Sequence, residues 1–194
     1  LKNFNLQHGI IHIPMELPWS SPGFVNVYFI EEKDGYVMID CGVNGSEYQE
    51  LLETKMKSFG LSYENIKLLI GTHMHSDHIG LSSTLREKDI PFALYKNSVE
   101  FIEGYNDWSI RFKKLKEYAK KEGAPKSFLN DLDQIETPEF AGKISKPEVL
   151  LDEGKLKDLV KKNKIYIDGS HNPLGASVLS KHLNSLECNK HIIL

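Results

Sequence analysis

Apolar and polar positions along this chain recur with periods that mark out its elements. Residues 10–13 and 24–30 (Phe24-Val25-Asn26-Val27-Tyr28-Phe29-Ile30) are runs of β-branched and aromatic residues separated by the turn-rich stretch Pro18 to Gly23, and they read as two strands. Tyr36 to Asp40 reads as a third strand, entered through the hairpin turn Lys33-Asp34-Gly35. Gly42 to Ser46 loops into a predicted helix at 47–59, where Tyr48, Leu51, Leu52, Met56 and Phe59 take the three- and four-residue spacing of one apolar face. Lys67 to Gly71 is a short apolar strand, His73 to His78 a loop, Leu81 to Lys88 a helix and Phe92 to Tyr95 a further strand. Three strands followed by helix, strand, helix and strand predict an α/β sandwich.

The pattern changes over residues 98–136. Trp108, Phe112, Leu115 and Ala119 keep helical spacing in a segment rich in Lys and Glu, which predicts two or three helices. A helical insertion over a site and a plain packing pair of helices both fit it. Residues 137–154 are punctuated by Pro and Gly and read as extended. Further on, Ile165-Tyr166-Ile167-Asp168 reads as a strand, followed by a turn and a helix to Leu186.

Composition narrows this picture only a little. With 40% hydrophobic and 26% charged residues the chain looks like an ordinary soluble globular protein. The net charge of −3, with no basic block, favours a small-molecule substrate over nucleic acid. The lysines at 113–116 and 155–164 alternate with apolar residues and read as solvated helix faces. No apolar run approaches the ~20 residues that span a bilayer, so no membrane partner is expected, and the first residues lack the layout of a signal peptide. Two cysteines, Cys41 and Cys188, make no disulfide framework and point to the cytoplasm. The chain opens at Leu1 and closes on the apolar run Ile192-Ile193-Leu194, so a piece of a longer reading frame is expected. Nothing in the pattern sets an oligomeric state.

The chemistry concentrates in Thr72-His73-Met74-His75-Ser76-Asp77-His78-Ile79-Gly80, directly after the apolar strand. At a strand end, side chains at i and i+2 point to the same side, so His73 and His75 can grip one cation together. Asp77 and His78 can then face a second. Zinc takes imidazole nitrogen and carboxylate oxygen, and its catalytic sites keep one position for water. Two ions ~3.5–4 Å apart can hold a hydroxide between them and polarise a scissile carbonyl.

This His-x-His-x-Asp-His segment after an apolar strand resembles the metallo-β-lactamase superfamily. Asn26-Val27-Tyr28 and Ile39-Asp40-Cys41-Gly42 resemble that family's first strands, with its acidic residue ahead of a glycine. The resemblance covers roughly residues 10–154. It implies the N-terminal part of an αββα sandwich over 1–154, with 98–136 as a helical insertion. It also implies His73, His75, Asp77 and His78 as ligands of one or two zinc ions, with iron or manganese as substitutes, and a catalytic role for Asp77. Asp40 would orient a ligand through hydrogen bonds, whereas from its own residues alone it reads as a turn or cap aspartate. The implied activity is hydrolysis of an ester, thioester or lactone by metal-bound hydroxide, in the manner of a glyoxalase II or a lactonase.

The family also uses a third histidine in a Gly-His-x-x-Gly-His-like turn, a bridging aspartate and a final histidine. No such turn occurs, and after His78 the histidines are His171, His182 and His191. Impaired activity is expected of this chain. In place of that half stands Asp168-Gly169-Ser170-His171-Asn172-Pro173. Residues 155–194 resemble the C-terminal domain of folylpolyglutamate/dihydrofolate synthases, in which positions matching Asp168 and His171 help bind a nucleotide. Such ligases also need a Gly-x-x-x-x-Gly-Lys-Ser/Thr phosphate loop, which this sequence lacks. The alternatives are thus an ATP-dependent ligase fragment, a non-catalytic remnant, or a diverged second half of the hydrolase in which His171 is the third histidine ligand. The foreign-segment reading is preferred to the last.

Overall fold

The computed structural model describes residues 5–6 and 9–152 of the 194. The expected strand at 165–168, Asp168, His171 and the helix after them lie outside the described residues. Asn5–Leu6 (β1), Ile10–Glu16 (β2), Phe24–Glu32 (β3), Gly35–Ile39 (β4), Ile66–Ile70 (β5), Phe92–Tyr95 (β6) and Val149–Leu151 (β7) form a sheet in that spatial order. β1 to β4 pair antiparallel, with Ile13 opposite Val27 and Tyr28 opposite Ile39. From β4 onward the pairing is parallel, with Ile39 beside Ile70 and Ile70 beside Ala93. Hairpins close the antiparallel half. Gly35 ends the β3–β4 turn at φ 142°, a value few side chains tolerate.

Parallel strands lie with both faces covered, so they read as nearly continuous apolar runs. β5, Ile66-Lys67-Leu68-Leu69-Ile70, has every residue but Lys67 buried. One face of the sheet carries Val25, Val27, Phe29, Met38, Leu69, Phe92 and Leu94 in a single buried cluster with Leu52 and Met56 of α1 (Ser46–Ser58). Ile79 of α2 (Ser76–Ile79) and Leu85 of α3 (Ser82–Arg86) join the same cluster. The opposite face carries a second cluster of Ile30, Val37, Ile39, Leu68, Ile70, Ala93 and Leu151. This is the α/β architecture expected of the N-terminal part of a metallo-β-lactamase-type domain, built among the described residues on one sheet.

Three segments differ from the sequence reading. β2 runs on to Glu16 instead of ending at 13, because Pro14 lies beyond the two-residue pairing with β1, where its missing N–H removes no ladder bond. The predicted loop 73–78 turns helical at Ser76: the His75 carbonyl accepts from the N–H groups of both His78 (3.0 Å) and Ile79 (3.1 Å). Of the segment expected to be extended at 137–154, the described residues to 152 hold a 3₁₀ turn at Glu139–Ala141, a left-handed residue at Lys143 and the strand β7. The segment 98–136 holds α4 (Ile102–Asn106), α5 (Trp108–Lys121) and α6 (Lys126–Asp133). Asp107 starts α5 by accepting the Ser109 N–H at 2.8 Å.

Candidate metal centre

β5 delivers Thr72 and His73 to the site at its C-terminal end, and α2 delivers Asp77 and His78. Both are fastened to the chain after β4. The Asp40 N–H donates to the Ile70 carbonyl (2.9 Å), the Cys41 N–H to the His78 carbonyl (2.6 Å), and the Gly80 N–H to the Gly42 carbonyl (2.8 Å). Asp40 thus sits between the strand end and the helical turn, in the left-handed region at φ 58°, and is 3% exposed.

A buried carboxylate is costly unless it is hydrogen-bonded, and Asp40 uses both oxygens. Oδ1 accepts from the Thr72 N–H (2.8 Å) and hydroxyl (3.0 Å). Oδ2 accepts from the same hydroxyl (2.8 Å) and lies 2.6 Å from Nδ1 of His78. Burial pulls the His78 imidazole pKa down, but the hydrogen bond and charge of Asp40 and the charge of Asp77 outweigh it, so the net shift is upward. Nε2 of His78 is turned the other way, 3.6 Å from Oδ2 of Asp77. The Thr72 hydroxyl also lies 3.0 Å from Nδ1 of His73, so it links Asp40 to a second imidazole.

The three imidazoles pack against one another. The His73 ring lies 4.1 Å from that of His78 and 4.5 Å from that of His75, and Nε2 of His73 is 3.0 Å from Nδ1 of His75. Two ligand nitrogens on a tetrahedral ion with bonds of ~2.0–2.1 Å stand roughly 3.3 Å apart, so this pair is spaced close to a bidentate grip. Among the described residues no three His, Cys, Asp or Glu side chains already surround a single metal position. The donor chemistry nonetheless suits a divalent ion: three imidazoles and a carboxylate from one short segment, with His78 held through Nδ1 by a buried carboxylate so that Nε2 is left to coordinate.

The structure brings His73, His75, Asp77, His78 and Asp40 together; Asp168 and His171 lie outside the described residues. Two neighbours escaped the sequence reading. Thr72 sits at the hub of the hydrogen bonds, and its position between strand and first histidine was the available signal. Tyr105 of α4 places its ring 5.7 Å from that of His75, which no local pattern announces across thirty positions of chain. Burial pushes the Tyr105 phenol pKa up against the opposing Arg111 charge, and the Asp77 charge adds to the rise.

Residues 20–179 match the family model described as the metallo-beta-lactamase superfamily, and the chain belongs to that superfamily. Among curated proteins, probable metallo-hydrolase YflN of Bacillus subtilis (strain 168) is 33% identical over 87 residues, covering 43% of this chain and 32% of the relative. Probable metallo-hydrolase YybB of the same organism is 27% identical over 95 residues, covering 48% of this chain and 38% of the relative. These alignments span about a third of the curated relatives' length. Among solved structures, a metallo-beta-lactamase family protein from Thermus thermophilus superposes with a TM-score of 0.54 at 21% identity, over 75% of this chain and 46% of that one. BJP-1, a subclass B3 metallo-beta-lactamase of Bradyrhizobium japonicum, gives 0.53 at 16% identity, over 79% and 46%. At such identities the likeness is one of fold. The family match takes in Asp168 and His171. None of these similarities is to a ligase. Among the described residues no helix is long and apolar enough to cross a membrane.

Proposed function

We propose that the segment His73 to His78 holds one or two divalent metal ions, zinc first among them, and that the protein hydrolyses an ester, thioester or lactone of a small molecule in the cytoplasm. A bound divalent ion would lower the pKa of water to about 7 and polarise the scissile carbonyl. The chain's own residues supply the rest. His73 and His75 are the paired donors at the strand end, and His78 is a donor whose tautomer and aim are held by Asp40. Asp77 is the carboxylate beside Nε2 of His78, placed to bind an ion or take a proton from water. Thr72 keeps Asp40 and His73 in register. The observation that carries this reading is the 2.6 Å bond of His78 to a buried carboxylate, with the His73 and His75 nitrogens 3.0 Å apart beside it. The fold alone does not choose the substrate, and the metallo-hydrolase descriptions of the relatives support the reaction class.

Metal analysis of the purified protein tests the site. Zinc, iron or manganese should be present above background, and His75→Ala should lower that content with the fold preserved. Metal at background in the native protein, or undiminished in the variant, would overturn the assignment.

A further inference from the structure

Close to the histidines, through Tyr105, lies a single guanidinium set on aromatic rings that the hydrolytic reading leaves unused. The chain has two arginines. Arg86 pairs with Glu148. Arg111 of α5 has no carboxylate partner among the described residues, and it is exposed. Asp107, one turn before it, commits its carboxylate to the Ser109 N–H. Instead the Arg111 guanidinium sits over three rings, 4.5 Å from the centroid of Tyr105, 5.5 Å from that of Trp108 and 6.0 Å from that of Phe112. Arg111 shares a side-chain hydrogen bond with Tyr105, but a guanidinium carries five N–H donors, and its edge matches a carboxylate in two parallel bonds while rings beneath hold its plane. The Trp108 indole N–H beneath it is buried, with no acceptor among the described residues. Tyr105 is the link to the metal segment, touching Arg111 on one side and lying 5.7 Å from the His75 ring on the other.

We infer that Arg111, braced on Tyr105 and Trp108, is a recognition subsite for an organic carboxylate, so that the molecule hydrolysed at the histidines carries a carboxylate beside an apolar body. The inference rests on the proposed hydrolytic site for the identity of the ligand as substrate, but the anion subsite itself stands on the α4–α5 geometry. A guanidinium held by rings and a hydroxyl, with no carboxylate partner, binds a carboxylate at less cost than a mobile one, because its orientation is already set. The aromatic faces beside it favour a planar or apolar body over a bare inorganic ion.

The experiment is a calorimetric titration of the purified protein, its metal content recorded, with benzoate and with the neutral isostere benzamide. Benzoate should bind roughly tenfold or more tightly than benzamide, and Arg111→Ala should remove that advantage. Arg111→Gln, which removes the charge but keeps a polar side chain, should do the same, and Arg111→Lys should restore only part of it, since an ammonium lacks the two-pronged edge. Equal affinity for the two probes, no saturable benzoate binding, or benzoate binding unchanged in both Arg111→Ala and Arg111→Gln would each overturn the subsite. Benzoate held by a metal ion would be lost in His75→Ala and not in the Arg111 variants. Metal at background with Arg111-dependent benzoate binding intact would therefore sink the hydrolytic reading and leave the subsite standing.

Discussion

At the scale of single residues, Asp40 decides how the site behaves. It accepts backbone and hydroxyl donors from Thr72 and holds His78 at 2.6 Å, from a position 3% exposed. Its influence on His78 has a definite sign. The folded imidazole has its pKa raised above the ordinary value of 6.5, against the pull of burial, by the bond and charge of Asp40 and the charge of Asp77. A raised folded pKa contributes stability that is complete below the unfolded value and is lost as pH climbs through the folded one. In metal-free protein, stability should therefore fall as pH rises above 6.5, and Asp40→Asn should flatten that slope. The same substitution removes the group that aims Nε2, so metal affinity should drop about 10–100-fold. Urea unfolding at a series of pH values and competition with a chromogenic chelator would check both. An unchanged slope together with unchanged affinity would show that Asp40 is only a turn residue, which is how its bare sequence reads. That contrast shows the limit of legibility at this scale: the histidine spacing announces itself, whereas the partner from another strand end becomes visible only through family resemblance or through folding.

At the scale of elements, hydrophobic periodicity located β3 to β6 and α1 to within a residue or two, because each buries a face and burial leaves a pattern. It could not locate α2. Four residues are little more than one helical turn, too few to display a period, and the turn forms because its ends are clamped to the chain after β4 by the Cys41–His78 and Gly80–Gly42 bonds. The clamp leaves no room at Gly80. A Cβ there would lie 2.4 Å from the Asn44 nitrogen and 2.4 Å from the Ser76 oxygen, both backbone atoms that cannot swing aside. Gly80→Ala should push α2 from its seat, cost about 1–3 kcal/mol of stability and weaken metal retention through His78. At Gly142 a Cβ meets nothing within 4 Å and φ is −82°, so Gly142→Ala should be nearly silent. Denaturant melts of the two variants side by side test this. Equal stability of both would mean that the chain around Asn44 yields more easily than its packing indicates.

At the scale of the whole molecule, the sheet and the helical segment 102–133 are held by different amounts of buried surface. β5 lies between β4 and β6, with apolar residues buried on both faces: Leu69 in one cluster, Leu68 and Ile70 in the other. The sequence could mark β5 as apolar, but not which neighbours would cover it, since strand order depends on contacts far apart in the chain. α5 is the opposite case. Its helical spacing was plain, yet it buries no residue, and Ile110, Leu115 and Tyr118 are 44%, 44% and 66% exposed. An amphipathic period reports a face that could be buried, not one that is. Segments with few buried apolar contacts open locally at a small fraction of the global unfolding free energy. Native-state hydrogen exchange should therefore separate the two. The amides in the last two turns of α5 should exchange roughly 100-fold or more faster than those of Leu68 to Ile70, whose exchange should follow global unfolding. Tyr105 and Arg111 lie at the α4–α5 junction, so benzoate seated on Arg111 should slow exchange at the start of α5 and leave β5 as it was. α5 amides protected as well as those of β5 in the unliganded protein would show that the helical segment unfolds as one unit with the sheet.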